Sequence, residues 1–137
     1  MGNQSTTMTC NFEDMQQAIE NKCIILNTLH EGEQSCLISH SVPSAKEVDI
    51  MNQVLATQKE TSIYVYGKNC NDESAFHKYN QLIGLGCTRV FLYKGGLFEW
   101  LCLQDIYGDD EFQTTTRELD ILKYKPKSAK REVLLIE

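Results

Sequence analysis

The sequence of 137 residues predicts one α/β domain with a mainly parallel central sheet and helices on both faces. Three observations lead there. Short runs rich in apolar, β-branched and aromatic residues stand at 23–27, 62–66 and 90–93. Stretches of helical period separate them. The runs do not alternate apolar with polar, which is the pattern of strands covered on both sides. The length is sufficient: folding at this size buries roughly two-thirds of the unfolded surface, so a core can form without disulfides or metals.

The elements are read in order. Residues 1–10 are polar and expected to be flexible, 11–112 form the domain, and 113–137 make a C-terminal extension. Asn11 reads as an N-cap, with Asp14 three residues on, for a helix over 12–21 that aligns Phe12, Met15 and Ile19. A strand over 23–27 follows, then a polar loop and a short strand at 35–39. Pro43 and Ser44 begin a second helix, 44–55, with Ser44-Ala45-Lys46-Glu47 as a capping box and Val48, Met51 and Leu55 as its buried stripe. The strand 62–66 leads into the loop Gly67-Lys68-Asn69-Cys70-Asn71. A helix over 72–83 should turn Phe76, Tyr79 and Ile83 inward and end at Gly84 or Gly86. After strand 90–93, the Gly95-Gly96 turn starts a helix over 96–104 that buries Trp100 beneath it. Residues 133–136 suit an edge strand or a terminal extension.

Composition limits the function. A net charge of −6 argues against a general nucleic-acid binder. The six cysteines form no CxxC pair, and several stand within apolar runs, as reduced thiols of a cytoplasmic, reducing compartment do. With three histidines and no Cys/His cluster, neither a metal site nor a cofactor is expected. The acidic run around Tyr107-Gly108 (Asp105, Asp109, Asp110, Glu111) lacks the spacing of a calcium loop and reads as a solvated turn. His77 reads as a solvent-facing residue of the third helix. Met1-Gly2-Asn3-Gln4-Ser5-Thr6 fits the N-myristoylation pattern on Gly2. Between 117 and 131 stand Arg117, Lys123, Lys125, Lys127, Lys130 and Arg131 against two acids, Glu118 and Asp120. A lipid on Gly2 together with this basic stretch would permit a peripheral membrane contact.

The strand Ile63-Tyr64-Val65-Tyr66, its loop and helix, and then Leu85-Gly86-Cys87-Thr88-Arg89-Val90-Phe91-Leu92-Tyr93-Lys94-Gly95-Gly96-Leu97-Phe98-Glu99-Trp100 resemble the rhodanese-homology domain. The Gly-Gly-x-x-x-Trp spacing is its most specific part. His40-Ser41-Val42-Pro43-Ser44-Ala45 looks like that family's Gly-His-Ile-Pro-Gly-Ala, and the resemblance covers roughly 11–107. Residues 95–101 through 105–108 are also similar to rhodanese-like proteins of large DNA viruses and some protists.

The resemblance implies a cysteine directly after the central strand. That cysteine takes a sulfane sulfur and is held as an anion by loop N–H groups and a helix N-terminus. Here that position is Gly67. Asn27 stands where the family has Asp, with no Arg after it, and acidic Asp72 and Glu73 fall near its late-loop basic residue. The missing cysteine-to-arginine loop also argues against a phosphatase-like member. The expectation is therefore a non-catalytic binding or regulatory module, in which the loop Gly67, Lys68, Asn69, Cys70, Asn71, Asp72 and Glu73 receives a protein partner or small anion. The alternative is a sulfurtransferase that uses Cys70 as a displaced nucleophile, the one thiol of that loop.

Overall fold

The three apolar runs lie side by side in the middle of one sheet. The computed structural model describes residues 7–57 and 60–129. In chain order the elements are β1 (Thr9–Cys10), α1 (Phe12–Glu20), β2 (Ile24–Asn27), β3 (Ser41–Val42), α2 (Glu47–Thr57), β4 (Ile63–Tyr66), α3 (Glu73–Gly84), β5 (Val90–Tyr93) and α4 (Gly96–Tyr107). All five strands are parallel, in the order β1-β5-β4-β2-β3. Register aligns Leu26 with Val65 and Val65 with Leu92. Successive residues point to opposite faces, which gives two cores. Ile25, Tyr66 and Tyr93 pack with Met15 and Ala18 of α1 and with Leu97, Trp100 and Leu101 of α4. Leu26, Val65 and Leu92 pack with Met51 and Val54 of α2 and with Ala75, Tyr79 and Leu82 of α3. The predicted α/β architecture with helices on both faces is the one observed.

Local signals hold in some places and yield to packing in others. Asn11 and Asp14 form the expected reciprocal cap on α1. Residues 35–39 are not a strand; Ile38 makes one isolated antiparallel bridge to Thr114, and the edge strand falls at Ser41–Val42. The apolar triplet Cys36, Leu37 and Ile38 is buried, so its backbone pairs with residues 113–115 in place of the sheet. Ser44 forms no capping box: Ser44–Lys46 is a 3-10 turn without a side-chain cap, and Glu47 instead pairs with Lys78 of α3. The buried face of α2 is Met51 and Val54, with Val48 68% exposed. On α3 the inward stripe is Ala75, Tyr79 and Leu82, and Phe76 and Ile83 are exposed. A helix lying close over a sheet presents its small residue, so Ala75 faces in and the larger Phe76 is turned to the rim.

Both ends of the described chain are tied down. Thr9 and Cys10, expected to be flexible, pair with Leu92 and Tyr93. The Met8 N–H donates to the Tyr79 hydroxyl at 3.0 Å. After α4 the chain returns to the α1/α4 core with Phe112 and Tyr124, both buried. Gly2, Lys130, Arg131 and the 133–136 stretch lie outside the described residues.

Candidate functional site

From β2 the chain steps outward to β3, and from β4 it steps the opposite way to β5. Where such a parallel sheet reverses its direction of winding, the loops at the strand ends diverge and leave a crevice. The crevice here lies between Thr28, directly after β2, and the loop 67–73, directly after β4.

The loop is closed on itself. Asp72 caps α3: Oδ1 accepts from the Ser74 N–H at 3.0 Å and lies 2.6 Å from Ser74 Oγ. Its other oxygen, Oδ2, accepts from the Lys68 N–H at 2.8 Å. The Asn71 N–H donates to Asn69 Oδ1 at 2.9 Å, and the Asp72 N–H to the Asn69 carbonyl at 3.1 Å. Three loop N–H groups and that of Ser74, which an external anion would need, therefore face acceptors of the loop itself, two of them the oxygens of the Asp72 carboxylate. Gly67 is buried, and a Cβ there would meet Asp72 Oδ2 at 2.6 Å and Thr28 Oγ1 at 3.0 Å. Asp72 fills the space a side chain at 67 would need.

The loop also binds α4. The Gly67 and Lys68 carbonyls accept from the N–H groups of Leu97 and Phe98, both at 2.9 Å, in the first turn of α4. That approach explains the second glycine of the turn. Gly96 has φ +70, and a Cβ there would meet the Asn69 nitrogen and the Gly67 carbonyl oxygen, each at 2.8 Å.

The charged groups of the loop are paired locally. Lys68 Nζ lies 2.9 Å from Glu33 Oε2. Partial burial works against ionisation of Glu33, but the hydrogen bond and charge of Lys68 outweigh it and hold the carboxyl below its usual range. Glu73 faces His77 one turn on, at 3.9 Å, with both exposed. Cys70 is exposed on the outer rim, its Sγ 3.8 Å from Asn71 Oδ1. It lines a shallow groove of about 560 Å³ with Asn69, Phe76, Tyr93 and Lys94. Among the described residues no cluster of His, Cys, Asp and Glu is arranged to hold a metal ion. In the acidic turn after α4, Asp109 faces Arg117 at 3.4 Å.

Asn27 is 3% exposed and sits in a neutral network. Its Nδ2 donates to the Val42 carbonyl at 3.0 Å and to Gln34 Oε1 at 3.1 Å; its Oδ1 accepts from the Leu29 N–H at 3.0 Å. An amide supplies both donor and acceptor there without burying a charge. His40 lies away from the loop, at φ 69 in the turn before β3, where the Ser41 N–H reaches back to the Ile38 carbonyl at 3.0 Å.

Three partners of the loop were not legible as site residues. Thr28 Oγ1 lies 2.8 Å from Ser74 Oγ, Glu33 holds Lys68, and the Tyr124 carbonyl accepts from Asn69 Nδ2 at 2.9 Å. Only a proton-acceptor residue before an apolar helix, Asp72, left a local signal, and that signal shows one of its two oxygens.

No family model matches the chain, and neither does any curated protein. Solved structures do. An Anabaena protein is 24% identical, over 69% of this chain and 86% of its own, with a TM-score of 0.54. A yeast protein tyrosine phosphatase of the rhodanese family is 12% identical, over 87% of this chain and 99% of its own, with a TM-score of 0.58. Thiosulfate sulfurtransferase of Pseudomonas aeruginosa is 16% identical over 94% of this chain, which spans 26% of that protein, with a TM-score of 0.52. At these identities the likeness shows the fold: the chain has the rhodanese-like α/β architecture.

Proposed function

We propose that this chain is a rhodanese-like domain without sulfur-transfer chemistry, acting as a non-catalytic binding or regulatory module. One observation carries the reading: the Asp72 carboxylate takes the Lys68 N–H and occupies the space beside Gly67 that a nucleophilic side chain would fill. At the spot beside Gly67 an incoming thiosulfate would meet the Asp72 carboxylate in place of free N–H donors, although lysines line the outer part of the same crevice. The strand-end crevice then serves as a recognition surface, bounded by Thr28, Lys68, Asn71 and Asp72.

The competing reading makes Cys70 a persulfide carrier. Its exposure favours access. Asp72 and Glu73 at the adjacent helix end would repel an incoming thiosulfate. A thiosulfate:cyanide sulfurtransferase assay, with intact-mass spectrometry after thiosulfate treatment, separates the two. The expected outcome is no turnover and no added sulfur. Robust turnover that vanishes in Cys70→Ser would install the sulfurtransferase instead.

A further inference from the structure

We propose that the face built by residues 119–127 docks on an anionic lipid bilayer, with an acyl chain on Gly2 as its second anchor. The first argument is charge. The protein carries −6 overall, yet Lys68, Lys123, Lys125 and Lys127 all line one open groove of about 940 Å³ beside the loop 67–73. The carboxylates of that groove are Glu33 and Asp72. Glu33 is held by Lys68, and Asp72 is held by the Lys68 and Ser74 N–H groups. Lys123 faces Glu118 at 2.7 Å. Lys125 and Lys127 are exposed and make no ion pair among the described residues. Between 117 and 127 the acids are Asp120 and Glu118, the latter paired with Lys123.

The second argument is apolar exposure on the same segment. Leu119 is 82% exposed and Leu122 63%. Leu122 stands among the lysines of the groove, and Leu119 stands between Glu118 and Asp120. An exposed leucine beside lysines suits the boundary between headgroups and acyl chains, where the lysines reach lipid phosphates and the leucine enters the apolar layer. The segment is not a solvated tail. Tyr124 is buried in the α1/α4 core, and its carbonyl is held by Asn69, so the lysines stand on a fixed platform.

The third argument concerns the other anchor. Residues 1–6 fit the acylation pattern on Gly2. Thr7, the first described residue, lines the groove on the other flank of the loop, and the two grooves share Asn69, Asn71 and Asp72. Thr7 and the basic face therefore flank the same loop. Neither signal suffices alone, because a single myristoyl chain gives marginal, reversible binding and needs a polybasic patch beside it. No helix among the described residues is long and apolar enough to cross a membrane, so attachment would be peripheral through these elements.

The test uses the full chain co-expressed with an N-myristoyltransferase, and sedimentation with phosphatidylcholine vesicles with or without phosphatidylserine. Acylated protein is expected to bind the phosphatidylserine vesicles more tightly, and Gly2→Ala to lose most binding. Lys125→Gln/Lys127→Gln should weaken phosphatidylserine binding by about fivefold per lysine and leave phosphatidylcholine binding unchanged. Leu119→Ser/Leu122→Ser should weaken both, with the thermal midpoints of all variants unmoved because the side chains are exposed. Equal binding to the two vesicle types, or lysine variants that bind like the parent, would overturn the proposal. So would equal incorporation of a myristate analogue into the parent and Gly2→Ala in eukaryotic cells. Tight capture of a polyglutamate peptide with indifference to vesicles would assign the face to an acidic protein partner instead.

Discussion

Asp72 joins two tasks that a catalytic loop would keep apart. One oxygen caps α3 through Ser74, and the other holds the Lys68 N–H against Gly67. Its effect is testable at that pair of residues. Gly67→Cys should destabilise the fold by about 1–3 kcal/mol, the range for added volume in a packed site, because its Cβ lands on Asp72. Asp72→Ala should cost about 1 kcal/mol through the lost cap. The double variant should be more stable than the sum predicts, by about 0.5–3 kcal/mol, since removing the carboxylate makes room for the cysteine. Urea melts of the four proteins give the coupling, and strict additivity would show that Asp72 yields to a side chain without cost.

At the level of elements, the turn Gly95-Gly96 and α4 act as one piece. Gly96 lets the loop backbone approach, and Trp100, one turn on, is fully buried. Its ring packs edge-on against Tyr93 at 6.2 Å and Phe112 at 5.1 Å, and its Nε1 donates to the Gln113 carbonyl at 3.0 Å. Trp100→Ala removes the ring and leaves that carbonyl without its partner, so a loss of about 3–5 kcal/mol is expected in denaturant melts. A loss under about 1 kcal/mol would mean the site collapses without cost.

The whole molecule has a titration signature at high pH. Burial pushes the Cys10 thiol from 9.0 up to about 12, with Asp14 adding to the rise. Burial also raises Tyr66, against the hydrogen bonds from Ser41 and Ile38, and raises Tyr93, whose hydroxyl donates to Glu99 at 2.5 Å. Each group is raised in the fold, so its contribution is fully present below its unfolded value and is lost as pH rises above it. Urea midpoints should hold level up to about pH 9 and fall steadily towards pH 12, with Cys10→Ala making the fall shallower while Cys36 and Cys102, raised by burial from the same 9.0, keep its onset. A midpoint unchanged across that window would show these groups to be solvated.

The sequence alone determined the architecture, because strand runs and helical stripes are local patterns. The runs at 23–27, 62–66 and 90–93, the Asn11 cap and the Gly-Gly-x-x-x-Trp spacing could all be read from neighbours a few residues apart. Gly67 at the end of the central strand stood out only through the resemblance to the rhodanese-homology domain, as the position where that family carries its cysteine. What fills its place was decided only in three dimensions. Asp72 and Thr28 meet there, and Glu33 reaches the neighbouring Lys68, because the chain segments after β2 and β4 face one another at the winding reversal, which joins residues about forty positions apart. The inward faces of α2 and α3 were likewise set by how closely each helix lies on the sheet, a distance no hydrophobic period records. The basic segment 122–127 was legible as charge. Its position beside the loop depends on Tyr124 entering the core far from its neighbours in sequence.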